Sequence, residues 1–472
     1  MVSSGTKKER ATATNNDSAF IRQEDAPILP PPITSAGIAG WLYDNIFASM
    51  LDFSTLGAAV KSILMAIFTA FVAYIFVDQV YGLLDFAIFS AVWQDPEEQK
   101  RQVCWTIEQG GKLPNGWHGA CWPYIIAKTK FILYGAYPNE SLWRVNSTYL
   151  LGTILLVWVM IDRLPYRKLV GAVLLTIYPI FATVMLTGGG FGLSQFSVGV
   201  NTIVGLALIS LGRAGKMGWI KGPLLDLSKM AGVAGWFFIF FAAALVSVGV
   251  DFDLSKVDTR DWGGLLITLV VATTAIVVSL PLGILLALGR RSSLPVARTL
   301  SIIFIEFWRG VPLITVLFMA SVMIPLFMPE GVNFDSLLRA LIGVTLWQSA
   351  YMAEVIRGGL QAIDKGQYEG ADAVGLSYWQ SMRLIILPQA LTRVLPGIVN
   401  TIISVFKDTS LVSIVGLFDL LGATQATIAD AAWSTPVQAS TGYLVVALIF
   451  FVFCFGMSRY SMYIERKLDR GH

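Results

Sequence analysis

The chain has 472 residues, 55% of them hydrophobic and only 14% charged, with a mean hydropathy of +0.66. A soluble domain carries about a quarter charged residues because its surface faces water, so a helical membrane bundle is expected here in place of two or three soluble domains. The net charge of +3 is mild, and its basic residues gather in short loops, which points to membrane orientation and away from nucleic-acid binding.

No signal peptide opens the sequence. Residues 1–36 are polar, carry Lys7, Lys8 and Arg10, and end in Pro30-Pro31-Pro32, so they read as a disordered cytoplasmic tail. Spanning a hydrocarbon core takes about 20 apolar residues in a helix. Runs of that kind lie near 57–77, 146–161, 169–187, 195–211 and 231–250. Five more lie near 263–288, 299–327, 336–357, 391–416 and 441–460, the second run being short and the ninth interrupted by polar residues. The expected fold is therefore all-α and integral to the membrane, with about ten transmembrane helices.

Lysine and arginine in short loops set the orientation. Arg163, Arg167 and Lys168 follow the second run, Arg213, Lys216, Lys221 and Lys229 the fourth, and Arg290, Arg291 and Arg298 the sixth. Those loops are expected in the cytoplasm, whereas the loop with Asp251, Asp253, Asp258 and Asp261 is expected outside. The alternation closes with both termini cytoplasmic.

Residues 78–145 are too long for a tight connection and fall on the outer side. They hold Trp93, Trp105, Trp117 and Trp122, residue types that favour the membrane–water interface, and the cysteines Cys104 and Cys121. An oxidising compartment would let those two cysteines pair, closing a loop worth about 3 kcal/mol; two unlinked thiols is the other reading. Cys454 sits in an apolar run and reads as a small hydrophobe. His118 and His472 are too few for a histidine metal site, so neither a metal nor a cofactor is expected in this chain. Residues 37–260 thus form a first membrane half, and nearly all ordered polar patterns fall in 261–468.

The densest pattern is Glu369-Gly370-Ala371-Asp372-Ala373-Val374-Gly375, followed after nine residues by Ile385-Ile386-Leu387-Pro388. It predicts a cytoplasmic loop of a short helix, a glycine break and a second helix stopped by Leu-Pro. Ala371 and Gly375, four apart, are expected on one helix side where small residues admit another protein's surface. Gly375 also suits the left-handed conformation that ends a helix, and Pro388 is expected to break the continuing helix.

This pattern resembles the EAA loop of ABC importer permeases, matching at Glu369, Ala371, Gly375, Ile385, Leu387 and Pro388. Gly370 departs, standing where that pattern has alanine. Arg309-Gly310-Val311-Pro312-Leu313, Glu354-Val355-Ile356-Arg357-Gly358-Gly359, Gly366-Gln367-Tyr368-Glu369 and Lys407-Asp408-Thr409-Ser410-Leu411 are similar to the polar amino-acid uptake permeases of the histidine and glutamine type. Ile386-Leu387-Pro388-Gln389-Ala390 is similar to the same group, and the extra N-terminal helices to general L-amino-acid permeases. The resemblance covers about residues 261–468 and implies a five-helix type I ABC importer permease core.

It further implies an inner-membrane location, a coupling loop over 366–388, and four kinds of partner. These are two ATP-binding subunits holding ATP and magnesium, a second and non-identical permease, a periplasmic amino-acid-binding protein, and the lipid bilayer. The chain itself would convert loop displacement into gating and hydrolyse nothing.

Charges inside the membrane half are costly, about 2.5–3.5 kcal/mol each at a helix centre, so they should face protein or water. Glu306 and Arg309 are three apart and can pair on one helix face, or Arg309 can meet Glu354 of the next helix. Lys407 and Asp408 interrupt the ninth run, and Asn400 and Gln348 are uncharged candidates for the same cavity. Two readings stand open for these seven residues: they line or gate a substrate path, or they fix helix register.

An ATPase is set aside because Gly212-Arg213-Ala214-Gly215-Lys216 has the wrong phosphate-loop spacing and Met217 follows the lysine. An ion-coupled secondary amino-acid transporter is the alternative, but the EAA-like loop has no purpose there.

Overall fold

The computed structural model describes residues 56–93, 101–190, 195–219, 224–328, 335–433 and 435–469. The tail expected over 1–36 lies outside them. Each of the ten apolar runs falls on a helix among the described residues. Eight of these helices are long and apolar enough to cross a bilayer, and a bent pair makes a ninth. The tenth, Ser336–Gln361, is 26 residues long but diluted in apolarity by Arg339, Gln348, Glu354 and Arg357.

Two compact units divide the chain between Leu84 and Asp85. The first contributes one described helix, α1 (Leu56–Leu84), whose apolar side chains are largely exposed, as a lipid-facing helix requires. Residues 78–84, expected in the outer segment, belong to this helix.

The second unit opens with a wide helical turn, Asp85–Phe89. Its helices are α2 (Trp122–Tyr134), α3 (Leu142–Met160), α4 (Arg167–Thr187), α5 (Gln195–Lys216) and α6 (Leu224–Gly249). There follow α7 (Leu265–Arg290), α8 (Pro295–Gly310), α9 (Leu313–Leu326) and α10 (Ser336–Gln361). After α10 come the short α11 (Lys365–Ala373), then α12 (Leu387–Arg393), α13 (Leu395–Asp408), α14 (Leu420–Ile428) and α15 (Gln438–Asp469).

The seventh run is not one straight span. Its halves α8 and α9 meet at 105°. Gly310 ends α8 and Pro312 caps α9, and a proline there cannot donate back to the preceding turn. The carbonyl of Val311 left at the corner accepts the indole N–H of Trp347 from α10 at 3.0 Å. The bend is thereby held, not merely permitted.

α5 and α6 pair antiparallel, Gly205 against Gly235 and Gly212 against Gly232, with apolar side chains such as Ile203, Trp236 and Phe237 exposed outward. α7 and α10 form the central pair of the C-terminal half, Gly283 lying against Met352 and Ala353. One buried cluster gathers Leu266, Ile267, Val271, Leu313, Leu317, Val344 and Val405 around this pair. A second fills the arginine-rich end of α7 and α10 with Leu288, Met352, Ile356, Leu360, Met382 and Ile386.

At the opposite end, a lobe built from residues 85–93 and 101–141 packs on α14 and the start of α15. Cys104 and Cys121 are bonded to each other there, their Cα atoms 6.0 Å apart. They share a buried cluster with Tyr124, Trp433 and Val437. Tyr124 Oη lies 2.6 Å from Thr427 Oγ1, the Cys121 N–H donates to Thr441 Oγ1 at 3.1 Å, and Lys128 pairs with Asp430. Three indoles tie the lobe to its opening turn: Trp93 donates to Ile88 O, Trp122 to Ala87 O and Trp117 to Ser90 O. Trp93 also stacks on Trp122 with ring centroids 5.3 Å apart.

The lobe can approach the core closely only because Gly264 has no side chain. It adopts φ +62°, and a Cβ there would stand 2.0 Å from Ile132 O. Gly264 also donates its N–H to Phe418 O, so α2, α7 and the segment before α14 meet at one point.

Candidate functional site

The loop expected to dock another protein begins where α10 ends. Asp364 starts α11, and the helix closes on Gly375, whose φ of +74° only glycine adopts without strain. The Leu376 N–H reaches Ala371 O and the Gly375 N–H reaches Asp372 O, the paired bonds that satisfy a helix C-terminus around a left-handed residue.

Two expectations need correction here. Gly375 lies beyond the end of α11, so it does not share a helix face with Ala371. Ala371 is fully buried, and its small side chain lets α11 sit down on its own chain near the turn Met382–Ile386. Nor does Pro388 stop the second helix. A helical turn Tyr378–Ser381 passes into a π-turn, Met382–Ile386, and continues as α12 to Arg393. The Leu387 N–H reaches back five residues to Met382 O. That widened turn relieves the clash a proline would make with the carbonyl four residues before it.

The loop's remaining residues divide by exposure. Glu369, Gly370, Gly375 and Pro388 are exposed, whereas Ile385 and Leu387 are half-buried against the Ile356–Ile386 cluster. An alanine would fit at Gly370, since nothing lies within 4 Å of where its Cβ would stand.

Side-chain bonds brace α11. Arg291, just past α7, donates to the Leu360 carbonyl at 2.9 Å and to Tyr368 Oη at 3.1 Å, its guanidinium 5.6 Å from the Tyr368 ring centre. Gln389 Nε2 donates to Gln367 Oε1 at 2.9 Å. Arg393 donates to Ala362 O and stands 3.7 Å from Asp364.

Arg290, the neighbour of Arg291, turns the other way, into a cluster centred on Glu354. The Glu354 side chain is 15% exposed and meets Arg290 at 2.8 Å, Arg357 at 2.7 Å and Arg309 at 3.6 Å. Glu306 pairs with Arg290 at 2.8 Å, not with Arg309 on its own helix. Arg309 also stands 5.8 Å from the Tyr351 ring centre. Three arginines and two glutamates from α7, α8 and α10 thus meet at one level. Arg290 and Arg357 were not among the candidates; Arg357 was legible as a residue three positions after Glu354, on the same helix face.

The remaining candidates do not converge with these. Gln348 is buried and donates to the Thr401 carbonyl at 3.0 Å, bridging α10 to α13. Asn400 and Lys407 are exposed, and Asp408 is half-buried at the end of α13. There the α-helix gives way to a 3₁₀ stretch, Thr409–Val415, closed by Gly416 in the left-handed conformation. Among the described residues no group of three or more His, Cys, Asp or Glu side chains is placed to hold a metal.

Residues 279–470 match the family described as "binding-protein-dependent transport system inner membrane component". Over 353 residues the chain is 45% identical to the inner membrane amino-acid ABC transporter permease protein YhdY of Escherichia coli, covering 75% of this chain and 79% of that one. It is 40% identical over 467 residues to the glutamate/glutamine/aspartate/asparagine transport system permease protein BztC of Rhodobacter capsulatus, covering 97% of this chain and all of that protein. A shorter relative, the probable glutamine ABC transporter permease protein GlnP of Bacillus subtilis, is 34% identical over 207 residues, which is 43% of this chain and 91% of its own length.

Proposed function

This chain belongs to the amino-acid ABC transporter permeases, and from that premise we propose that residues 366–388 are the loop through which an ATPase subunit drives it. It is a multi-pass inner-membrane permease subunit without catalytic chemistry of its own, and the ATPase is a separate subunit.

The observation that carries the loop assignment is the contrast within it. Glu369 and Gly375 are presented outward, while Ala371 is buried within the loop and Ile385 and Leu387 pack it against the cluster shared with α7 and α10. A surface that must receive force needs both a free face and a rigid back. In this reading the arginine-rich end faces the cytoplasm, both termini with it, and two ATPases holding ATP and magnesium dock there. A second, similar but non-identical permease completes the path, and a periplasmic binding protein delivers the amino acid to the opposite end.

Movement of α11 then reaches the membrane along two adjacent side chains. Arg291 holds Tyr368 of α11, and Arg290 holds Glu306 and Glu354. Asp408 and Lys407, where α13 loses its α-helical ladder, and Asn400 about two turns earlier are the candidates for lining or gating the path, with Glu306, Arg309, Gln348 and Glu354 setting helix register. Residues 261–468 act as the permease core; the shorter relatives' match to about 205 residues supports that boundary.

The test is transport by the assembled complex in vesicles. Uptake is expected to require ATP and to survive collapse of ion gradients. Replacing Gly375 by tryptophan is expected to leave ATP hydrolysis running while uptake falls at least tenfold. Unchanged coupling and unchanged assembly in that variant would sink the loop assignment.

A further inference from the structure

Arg144 is 1% exposed, at the start of α3, among Tyr137, Val145, Leu186 and Val257. Its Nη2 stands 3.5 Å from Ser255 Oγ, at the limit of a hydrogen bond, and its Nε and Nη1 are buried with no partner at all. The Tyr137 ring centre lies 6.0 Å from the guanidinium, and the Tyr137 hydroxyl, which donates to Leu186 O at 2.9 Å, turns its lone pairs toward Arg144 but brings no negative charge. Among the described residues no carboxylate pairs with Arg144. Glu140, one turn earlier, is exposed, and Asp258 in the adjoining loop is exposed and faces Arg260.

A guanidinium cannot escape this situation by losing its proton. Burying a charge without a counter-charge costs several kcal/mol. The location compounds the cost. Arg144 is the third residue of a 19-residue helix, and a helix N-terminus already carries about half a positive charge. Ser141, at the N-cap position, makes no side-chain bond to the helix it precedes; its Oγ instead lies 3.0 Å from Ser255 Oγ.

We propose that the first turn of α3 binds one small monovalent anion of the halide class, held between the Arg144 guanidinium and the hydroxyls of Ser141 and Ser255. One negative charge on the Nη2 side of the guanidinium satisfies an orphaned N–H and offsets the positive end of the helix. The near-complete burial of Arg144 favours a monatomic ion over phosphate or a carboxylate. Ser255 is exposed and opens the site toward the end of the molecule that carries the lobe, so the ion can exchange with that side. This inference does not depend on the assignment of the docking loop.

The experiment uses the purified transporter complex with chloride replaced by gluconate. Equilibrium binding of radiolabelled chloride is expected to saturate at one ion per copy of this chain and to be lost in Arg144→Met. The wild-type melting temperature is expected to rise with chloride, whereas Arg144→Met, having no buried charge to neutralise, responds to neither salt and matches or exceeds wild type in gluconate. If Arg144→Met does not assemble, the double variant S141A/S255A is expected to bind chloride about tenfold more weakly. Bromide soaked into wild-type crystals is expected to give one anomalous peak beside Arg144. Ordered water in place of that peak, or no saturable chloride binding by the wild type, overturns the proposal.

Discussion

The two ends of the second unit are built from different materials. At the lobe end, order comes from a disulfide, buried aromatic side chains, a glycine contact with no room for a methyl group, and hydrogen bonds between fully buried atoms. At the arginine-rich end, a buried cluster around Ile356 and Ile386 is overlaid by long side chains reaching across partly exposed surface: Arg290 and Arg357 to Glu354, Arg291 to Tyr368, Arg393 to Asp364. Buried and covalent contacts tolerate little displacement, because interiors are close-packed. Ion pairs between flexible side chains can exchange partners, and three arginines around one glutamate offer the alternatives. One end is made to hold its shape and the other to change it.

Four substitutions test that contrast, from the largest expected effect to the smallest. Glu354→Gln leaves Arg290, Arg309 and Arg357 without their shared carboxylate. Breaking such a pair from one side costs roughly 3 kcal/mol, so uptake by the complex should fall at least tenfold. Near-normal uptake would show that the cluster is dispensable for movement. Replacing Cys104 and Cys121 together by serine should lower stability by about 2–4 kcal/mol in thermal unfolding. Uptake at a permissive temperature should stay close to wild type, and a large loss of transport at full assembly would mean that the lobe takes part in the cycle.

Tyr368→Phe keeps the ring beside Arg291 but removes the hydroxyl, a change worth about 1 kcal/mol. The ratio of amino acid imported to ATP hydrolysed should drop by a few-fold while assembly is unaffected. An unaltered ratio would remove Arg291 and Tyr368 from the transmission route. The smallest effect concerns Asp419, which caps α14 by accepting from Leu421 N and Gly422 N while fully buried. Burial raises its carboxyl to about 6, against the pull of those backbone donors. The folded state therefore holds this proton more tightly than the unfolded chain does. The stabilisation is complete below the ordinary aspartate range and is lost as pH rises through about 6. Thermal stability should accordingly decline from pH 5 to pH 7, and Asp419→Asn, which still caps the helix, should flatten that decline.

Much of this architecture was legible in the sequence, and the reasons are physical. A bilayer imposes length and apolarity on every crossing helix, so each of the ten runs fell on helix among the described residues, the seventh on a bent pair. The loop proposed to dock an ATPase stood out because a glycine suited to the left-handed conformation and a proline expected to end a helix leave spaced traces; Gly375 fulfils the first of these. What stayed hidden depends on partners far apart in the chain. Nothing near Arg290 announces Glu354, 64 positions away, nor does Arg291 announce Tyr368. Pro388 misled for the opposite reason: its local rule is sound, but a π-turn just before it supplies the slack. The 105° bend escaped notice because the uncharged stretch Gly310-Val311-Pro312 joins its two halves without a polar break.

The lobe's bonds also carry a consequence for how the protein is made. Cys121 is tied to Thr441, Lys128 to Asp430 and Tyr124 to Thr427, partners separated by 320, 302 and 303 positions. Synthesis at about 5–20 residues per second leaves the lobe without its seat for roughly 15–60 s after Cys121 emerges. During that interval the disulfide and the local bonds of the lobe hold its two cysteines in register. A ribosome that stalls before α14 releases a chain whose lobe has its contact with α7 but not those with α14 and α15, leaving Tyr124 and its apolar neighbours uncovered. The lobe is therefore completed only on a chain translated to its final helix.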